Sequence, residues 1–152
     1  MGAVAGRAEI LEQMSTSHAV PHAGTFNGNP VTMEAGLATL RALTPDVFDT
    51  MNAMGADLRS RLSAAFSGLP LQVTGMGSLF KVSASHEPIS DYRSAVTSAR
   101  EWEELASIAL WTEGCFLAPR LHGCVSAVTT QADQDQLVDS FTRVIGAHWR
   151  PS

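Results

Sequence analysis

The stretch Pro21-His22-Ala23-Gly24-Thr25-Phe26-Asn27-Gly28-Asn29-Pro30 constrains this chain more than any other. It reads as a glycine-punctuated loop that ends in a helix start. Asn29 offers a side-chain oxygen as the cap, and Pro30 fits the first helical turn, where its missing N–H costs nothing. Such a terminus presents backbone N–H groups and a positive dipole end, so it attracts anions. Thr25 adds a hydroxyl donor, and Gly24 and Gly28 let the backbone approach a ligand closely. The residues alone leave two readings open: an ordinary helix cap, and a loop that holds a phosphate.

A chain of 152 residues suits one domain with a real core. Its formal net charge of -5, with no basic cluster, argues against a nucleic-acid surface. No apolar run approaches the ~20 residues needed to cross a bilayer. Met1 to Arg7 is small and apolar, but Glu9 and Glu12 soon interrupt it, so no signal peptide is expected. Cys115 and Cys124 lack metal or redox spacing and read as reduced thiols of a cytoplasmic protein.

Patterning orders the rest. Gly2 to Gly6 is compact and apolar, consistent with a buried strand end, and Arg7 to Met14 reads as a short helix. A helix is predicted from Pro30 to about Ala42, with Met33, Leu37 and Leu40 on one face. Thr44-Pro45-Asp46 opens a long amphipathic helix through Val47, Met51, Met54, Leu58, Leu62 and Ala65, ended by Gly68-Leu69-Pro70. Leu71 to Thr74 and Ser78 to Ser83 read as strands around the Gly75-Met76-Gly77 turn. His86 to Ala99 is the least patterned part and reads as a loop or mobile segment. Glu101 to Thr112 reads as a helix with Trp102, Leu105, Ile108 and Ala109 inward. Cys115 to Ala118 and Cys124 to Thr129 read as a strand pair, and Asp133 to Ala147 as a closing helix carrying Leu137, Phe141, Val144 and Ile145. The order implies an α+β architecture, with helices packed on a small, mostly antiparallel sheet.

Gly24-Thr25-Phe26-Asn27-Gly28-Asn29-Pro30, followed by Val31-Thr32-Met33-Glu34-Ala35-Gly36-Leu37, resembles the class-III aminotransferases, which use pyridoxal 5'-phosphate. It is most similar to their glutamate-1-semialdehyde aminomutase and β-amino-acid aminotransferase branches. Gly2 to Met14, Gln72 to Phe80, Glu113 to Arg120 and Ser126 to Asp133 resemble further family segments in the family's order. The resemblance implies the C-terminal small domain of a fold-type-I enzyme, with the last strand and helix of the large domain at the N-terminus. On that reading 1–28 is the tail of the cofactor-binding large domain including the phosphate loop. Residues 29–66 are connecting helices, and 67–152 form the small α+β domain.

The resemblance assigns cofactor binding to Gly24 and Thr25. In the family the loop threonine reaches the cofactor phosphate of the partner subunit, so a homodimer is expected of the intact enzyme. It assigns Arg120 to the carboxylate of an amino-acid substrate, because an arginine fork pairs bidentately with carboxylates. A structural ion pair is the other reading of Arg120. By the resemblance the Schiff-base lysine lies upstream of Gly2, so no catalytic residue is assigned here. Lys81, the sole lysine, reads as a strand residue with its ammonium in water. The expectation is thus part of an enzyme moving an amino group between an amino acid and a keto or aldehyde acid. The alternatives are an aminomutase fragment and a non-catalytic remnant that serves as an interaction module. His18, His22, His86, His122 and His148 have no ligand spacing, so no metal is expected. Ser78 lacks a nucleophile-elbow context. Asp133, Asp135 and Asp139 read as a solvated helix face and start.

Overall fold

The computed structural model describes residues 2, 4–14 and 24–148. The chain divides at Thr44–Pro45 into two compact units.

In the first unit, helix α1 (Ala8–Leu11) runs into a 3-10 turn (Glu12–Met14). Helix α2 spans Pro30–Ala42, as its cap and proline predict: the Asn29 side chain accepts from the Thr32 N–H at 3.2 Å. The stripe of α2 carries Met33, Leu37 and Leu40, which are 51%, 39% and 63% exposed. The predicted strand end at Gly2 to Gly6 is not observed among the described residues, and Val4 is exposed. Glycines flank a single β-branched residue there, a composition that disfavours a strand unless neighbouring strands pair with it.

The second unit is α+β. Helix α3 (Pro45–Ala65) leads through a turn at Gly68 into strands β1 (Leu71–Thr74) and β2 (Leu79–Ala84). Helices α4 (Tyr92–Ala95) and α5 (Arg100–Thr112) follow, then strand β3 (His122–Cys124) and helix α6 (Gln131–His148). The sheet is three-stranded in the order β1-β2-β3 and antiparallel throughout, with Leu71 opposite Ala84 and Leu79 opposite Cys124. Helix α3 packs on β1, β2 and α6, and α5 on β2 and α6. Alternation along β2 sends Phe80, Val82 and Ala84 into the core and sets Lys81 and Ser83 on the other face. Leu58, Leu62 and Phe66 meet Phe141, Val144 and Ile145 in the same cluster, with the Phe66 and Phe141 rings edge to face at 5.6 Å.

Four expectations are corrected here. Ala65 is exposed and Phe66 takes the last core position, one residue beyond the regular helix. The segment from His86 to Ala99 is anchored rather than loose. Gln72 of β1 donates from Nε2 to the Ser85 and Glu87 carbonyls and accepts the Ile89 N–H at Oε1. Asp91 and Ser94 then form a reciprocal capping box that starts α4. On α5 Trp102 and Ala109 pack against the core as expected, but the fully inward face is Glu103, Ala106, Ser107 and Leu110, and Leu105 and Ile108 are 61% and 52% exposed. The expected pair of strands at 115–118 and 124–129 is replaced by β3, which pairs with β2, plus one isolated bridge between Ala118 and His122. Pro119 has no N–H to give a ladder, and Arg120 and Leu121 both lie at positive φ, which reverses the chain too tightly for two paired strands.

Candidate functional site

The loop of the first unit is built from short-range bonds. The Asn27 N–H donates to the Gly24 carbonyl at 3.0 Å and the Asn29 N–H to the Phe26 carbonyl at 3.2 Å. The Asn27 side chain folds back over Gly24, where an added Cβ would stand 2.8 Å from Asn27 Oδ1. A side chain at 24 would displace the Asn27 amide from this position. Gly28, at φ 70°, turns the chain into the Asn29 cap. Thr25 is exposed, so its hydroxyl is open to a ligand. A hydroxyl beside a glycine backbone, followed by a helix N-terminus, suits a phosphate ester and needs no metal. Pro21, His22 and Ala23 of the same sequence stretch lie outside the described residues, as does His18.

Arg120 belongs to the second unit, on the reversal between Pro119 and β3. Its Nε donates to Glu103 Oε2 at 3.3 Å, and its side chain is 30% exposed. The expectation for Lys81 is corrected. Its ammonium is not simply in water but donates to Glu103 Oε2 and to the Arg120 carbonyl, each at 3.3 Å. Glu103 itself is fully buried, and its Oε1 accepts the Ala84 N–H at 3.3 Å. Sequence reasoning missed Glu103. Its signal was the spacing of 103, 106, 107 and 110, a helical face on which an acid stands among Ala106 and Leu110.

Of the acidic residues near α6, Asp133 exchanges bonds with Thr130, accepting its N–H at 2.7 Å and returning its own N–H to Thr130 Oγ1 at 3.2 Å. The Thr130 N–H holds the Asp133 carboxyl below the ordinary carboxylate value. Asp135 pairs with Arg61 at 2.6 Å. No helix among the described residues is long and apolar enough to cross a membrane.

Residues 1–145 match the family model described as aminotransferase class-III. The chain belongs to this family. Its similar relatives include class-III proteins named glutamate-1-semialdehyde 2,1-aminomutase. That of Nitratidesulfovibrio vulgaris is 34% identical, covering 92% of this chain and 34% of the relative. That of Methanothrix thermoacetophila is 40% identical over 78% of this chain and 28% of its own. Among solved structures, an omega-transaminase from Sphaerobacter thermophilus superposes with a TM-score of 0.77 at 38% identity, over 93% of this chain and 34% of that one. A β-phenylalanine aminotransferase from Variovorax paradoxus gives 0.77 at 31% identity, over 94% and 34%. A structure described as a transaminase with PLP bound gives 0.73 at 28% identity, over 94% and 34%. This class-III chain thus spans about a third of the length of the proteins it matches.

Proposed function

We propose that this chain is the C-terminal part of a pyridoxal-phosphate-dependent aminotransferase that moves an amino group between an amino acid and a keto or aldehyde acid. The observation that carries this reading is the exposed Thr25 beside the closely packed Gly24, leading into the Asn29-capped helix of a class-III chain. In this reading 1–28 closes the cofactor-binding large domain, 29–66 connects, and 67–152 is the small domain. Thr25 Oγ1 and the Gly24 and Thr25 N–H groups hold the cofactor phosphate of a partner subunit, which makes the intact enzyme a homodimer. Arg120 pairs with the substrate carboxylate. Bound pyridoxal phosphate would supply the carbonyl that takes the amino group and the electron sink that acidifies the substrate carbon. In this reading the Schiff-base lysine lies outside this chain, and Lys81, whose Nζ donates to Glu103 and to the Arg120 carbonyl, keeps a structural part.

An aminomutase is the second reading, favoured by the names of the curated relatives. Arg120 suits the free carboxylate of a substrate in either reading, so it does not separate them. A non-catalytic module is the third. The experiment takes the native polypeptide carrying these residues from its source and measures its intact mass and pyridoxal phosphate content. It then assays amino transfer from β-amino acids to 2-keto acids beside turnover of glutamate-1-semialdehyde. Keto-acid-dependent transfer with bound cofactor supports the first reading. Semialdehyde turnover alone supports the second. A cofactor-free product of 152 residues contradicts both.

A further inference from the structure

Glu103 is a buried carboxylate, and such a group persists only when paired. Here Oε2 takes both Lys81 Nζ and Arg120 Nε at 3.3 Å, and Oε1 takes the Ala84 N–H. Two cations against one carboxylate leave the cluster with a net positive charge. Lys81 also donates to the Arg120 carbonyl, so it fixes the backbone that carries the arginine. That backbone is strained: Arg120 and Leu121 lie at φ 69° and 59°, a region that L side chains rarely adopt. The reversal is held by the fully buried Leu121, whose carbonyl accepts the Val82 N–H at 3.0 Å and whose N–H reaches Ala118 at 3.2 Å. Strain of this kind survives only where the surroundings over-determine it, and it gathers at binding sites. Among the described residues the two Nη groups of Arg120 have no acceptor, and its side chain is partly open to solvent.

We propose that Glu103 and Lys81 are positioning residues for Arg120. Glu103 grips the Nε of the guanidinium and leaves the Nη pair to receive a ligand carboxylate. Lys81 balances the Glu103 charge, so the arginine's own charge stays available to the ligand. This rests on the reading of Arg120 as the substrate-carboxylate residue of an aminotransferase or aminomutase. The opposite view is that the three side chains merely staple α5 to the sheet.

The test compares Arg120→Ala, Glu103→Gln and Lys81→Gln with the parent in the native polypeptide. Glu103→Gln keeps the shape and the acceptor for the Ala84 N–H. Butanoate is the carboxylate probe and butylamine the carboxylate-free probe, each as an inhibitor of the amino-transfer or semialdehyde reaction. In Glu103→Gln the butanoate inhibition constant should rise about tenfold, the size of one charge-assisted contact, with butylamine unchanged. Lys81→Gln, a half-exposed change that the fold tolerates better, should raise it about threefold. A separate readout needs no turnover: in the 15N-labelled chain the Arg120 Nε–H resonance, assigned by its loss in Arg120→Ala, should move in Glu103→Gln. An unmoved resonance overturns the proposal. So does a parallel rise for both probes, which would mean a stapling role. If Arg120→Ala weakens butanoate while the other two variants do not, the positioning role alone falls. If Arg120→Ala leaves butanoate unchanged, or no turnover is found, the reading beneath it falls as well.

Discussion

A single buried amide shows how sharply one side chain bears on this fold. Gln134 on α6 is 2% exposed, and among the described residues neither its Nε2 nor its Oε1 has a hydrogen-bond partner. A buried amide without partners carries its desolvation penalty uncompensated, on the order of 1–3 kcal/mol. Replacing it with Leu removes both polar atoms and keeps most of the volume. Gln134→Leu should therefore stabilise the chain by about 1 kcal/mol, read as a higher urea midpoint at unchanged slope. A lower midpoint would mean that the amide holds a bridging water worth keeping. Glu103 is the contrasting case, because its buried charge is matched by two cations and one N–H.

At the scale of elements, two helical glycines separate propensity from packing. An added Cβ at Gly55 on α3 would stand 2.3 Å from the Gly77 carbonyl oxygen and 2.8 Å from Ser78 Cα, whereas one at Gly146 on α6 would meet nothing within 4 Å. Alanine gains up to ~1 kcal/mol of helix propensity at either place. At Gly55 the clash with backbone outweighs that gain, because neither atom belongs to a flexible side chain and overpacking costs about 1–3 kcal/mol. Gly55→Ala should lower stability by about 1–3 kcal/mol, while Gly146→Ala, near a helix end, should raise it by a few tenths. Thermal unfolding of the two variants beside the parent checks both signs.

Helices α2 and α3 were legible because cap, proline and apolar spacing agree locally, and α6 from its apolar spacing. So was the hairpin, where the turn glycines flank alternating residues. Helix α5 was legible in extent but not in face. It carries two apolar stripes, and tertiary pairing of Glu103 with residues 22 and 17 positions away chose between them. The reversal at Arg120–Leu121 was hidden because neither residue is a glycine or asparagine, the residues that announce positive φ. Near the candidate site, the Asn29 cap that follows the Gly24–Gly28 loop is local and could be read; the Lys81–Glu103–Arg120 cluster joins three separate segments and could not.

For the second unit as a whole, acid sensitivity follows from exposed caps and one long-range ion pair. Asp91 and Asp133 are held below the usual 3.8 by the backbone N–H groups of Ser94 and Thr130, and Asp135 by Gln131 and Arg61. A carboxylate whose folded value is depressed contributes stability above its unfolded value and loses it as pH falls through the folded one. The melting temperature should be level above about pH 5 and fall below about pH 4. Asparagine at the three positions should flatten that fall. An equal fall in the triple variant would place acid sensitivity in other carboxylates.

The phosphate role of Thr25 is tested most directly by the affinity of the native polypeptide for pyridoxal phosphate and for pyridoxal, which lacks the phosphate, before and after Thr25→Ala. The loop reading predicts that pyridoxal phosphate binds about tenfold more weakly in the variant while pyridoxal binds as before. Unchanged pyridoxal phosphate binding, or an equal loss for both ligands, would contradict it.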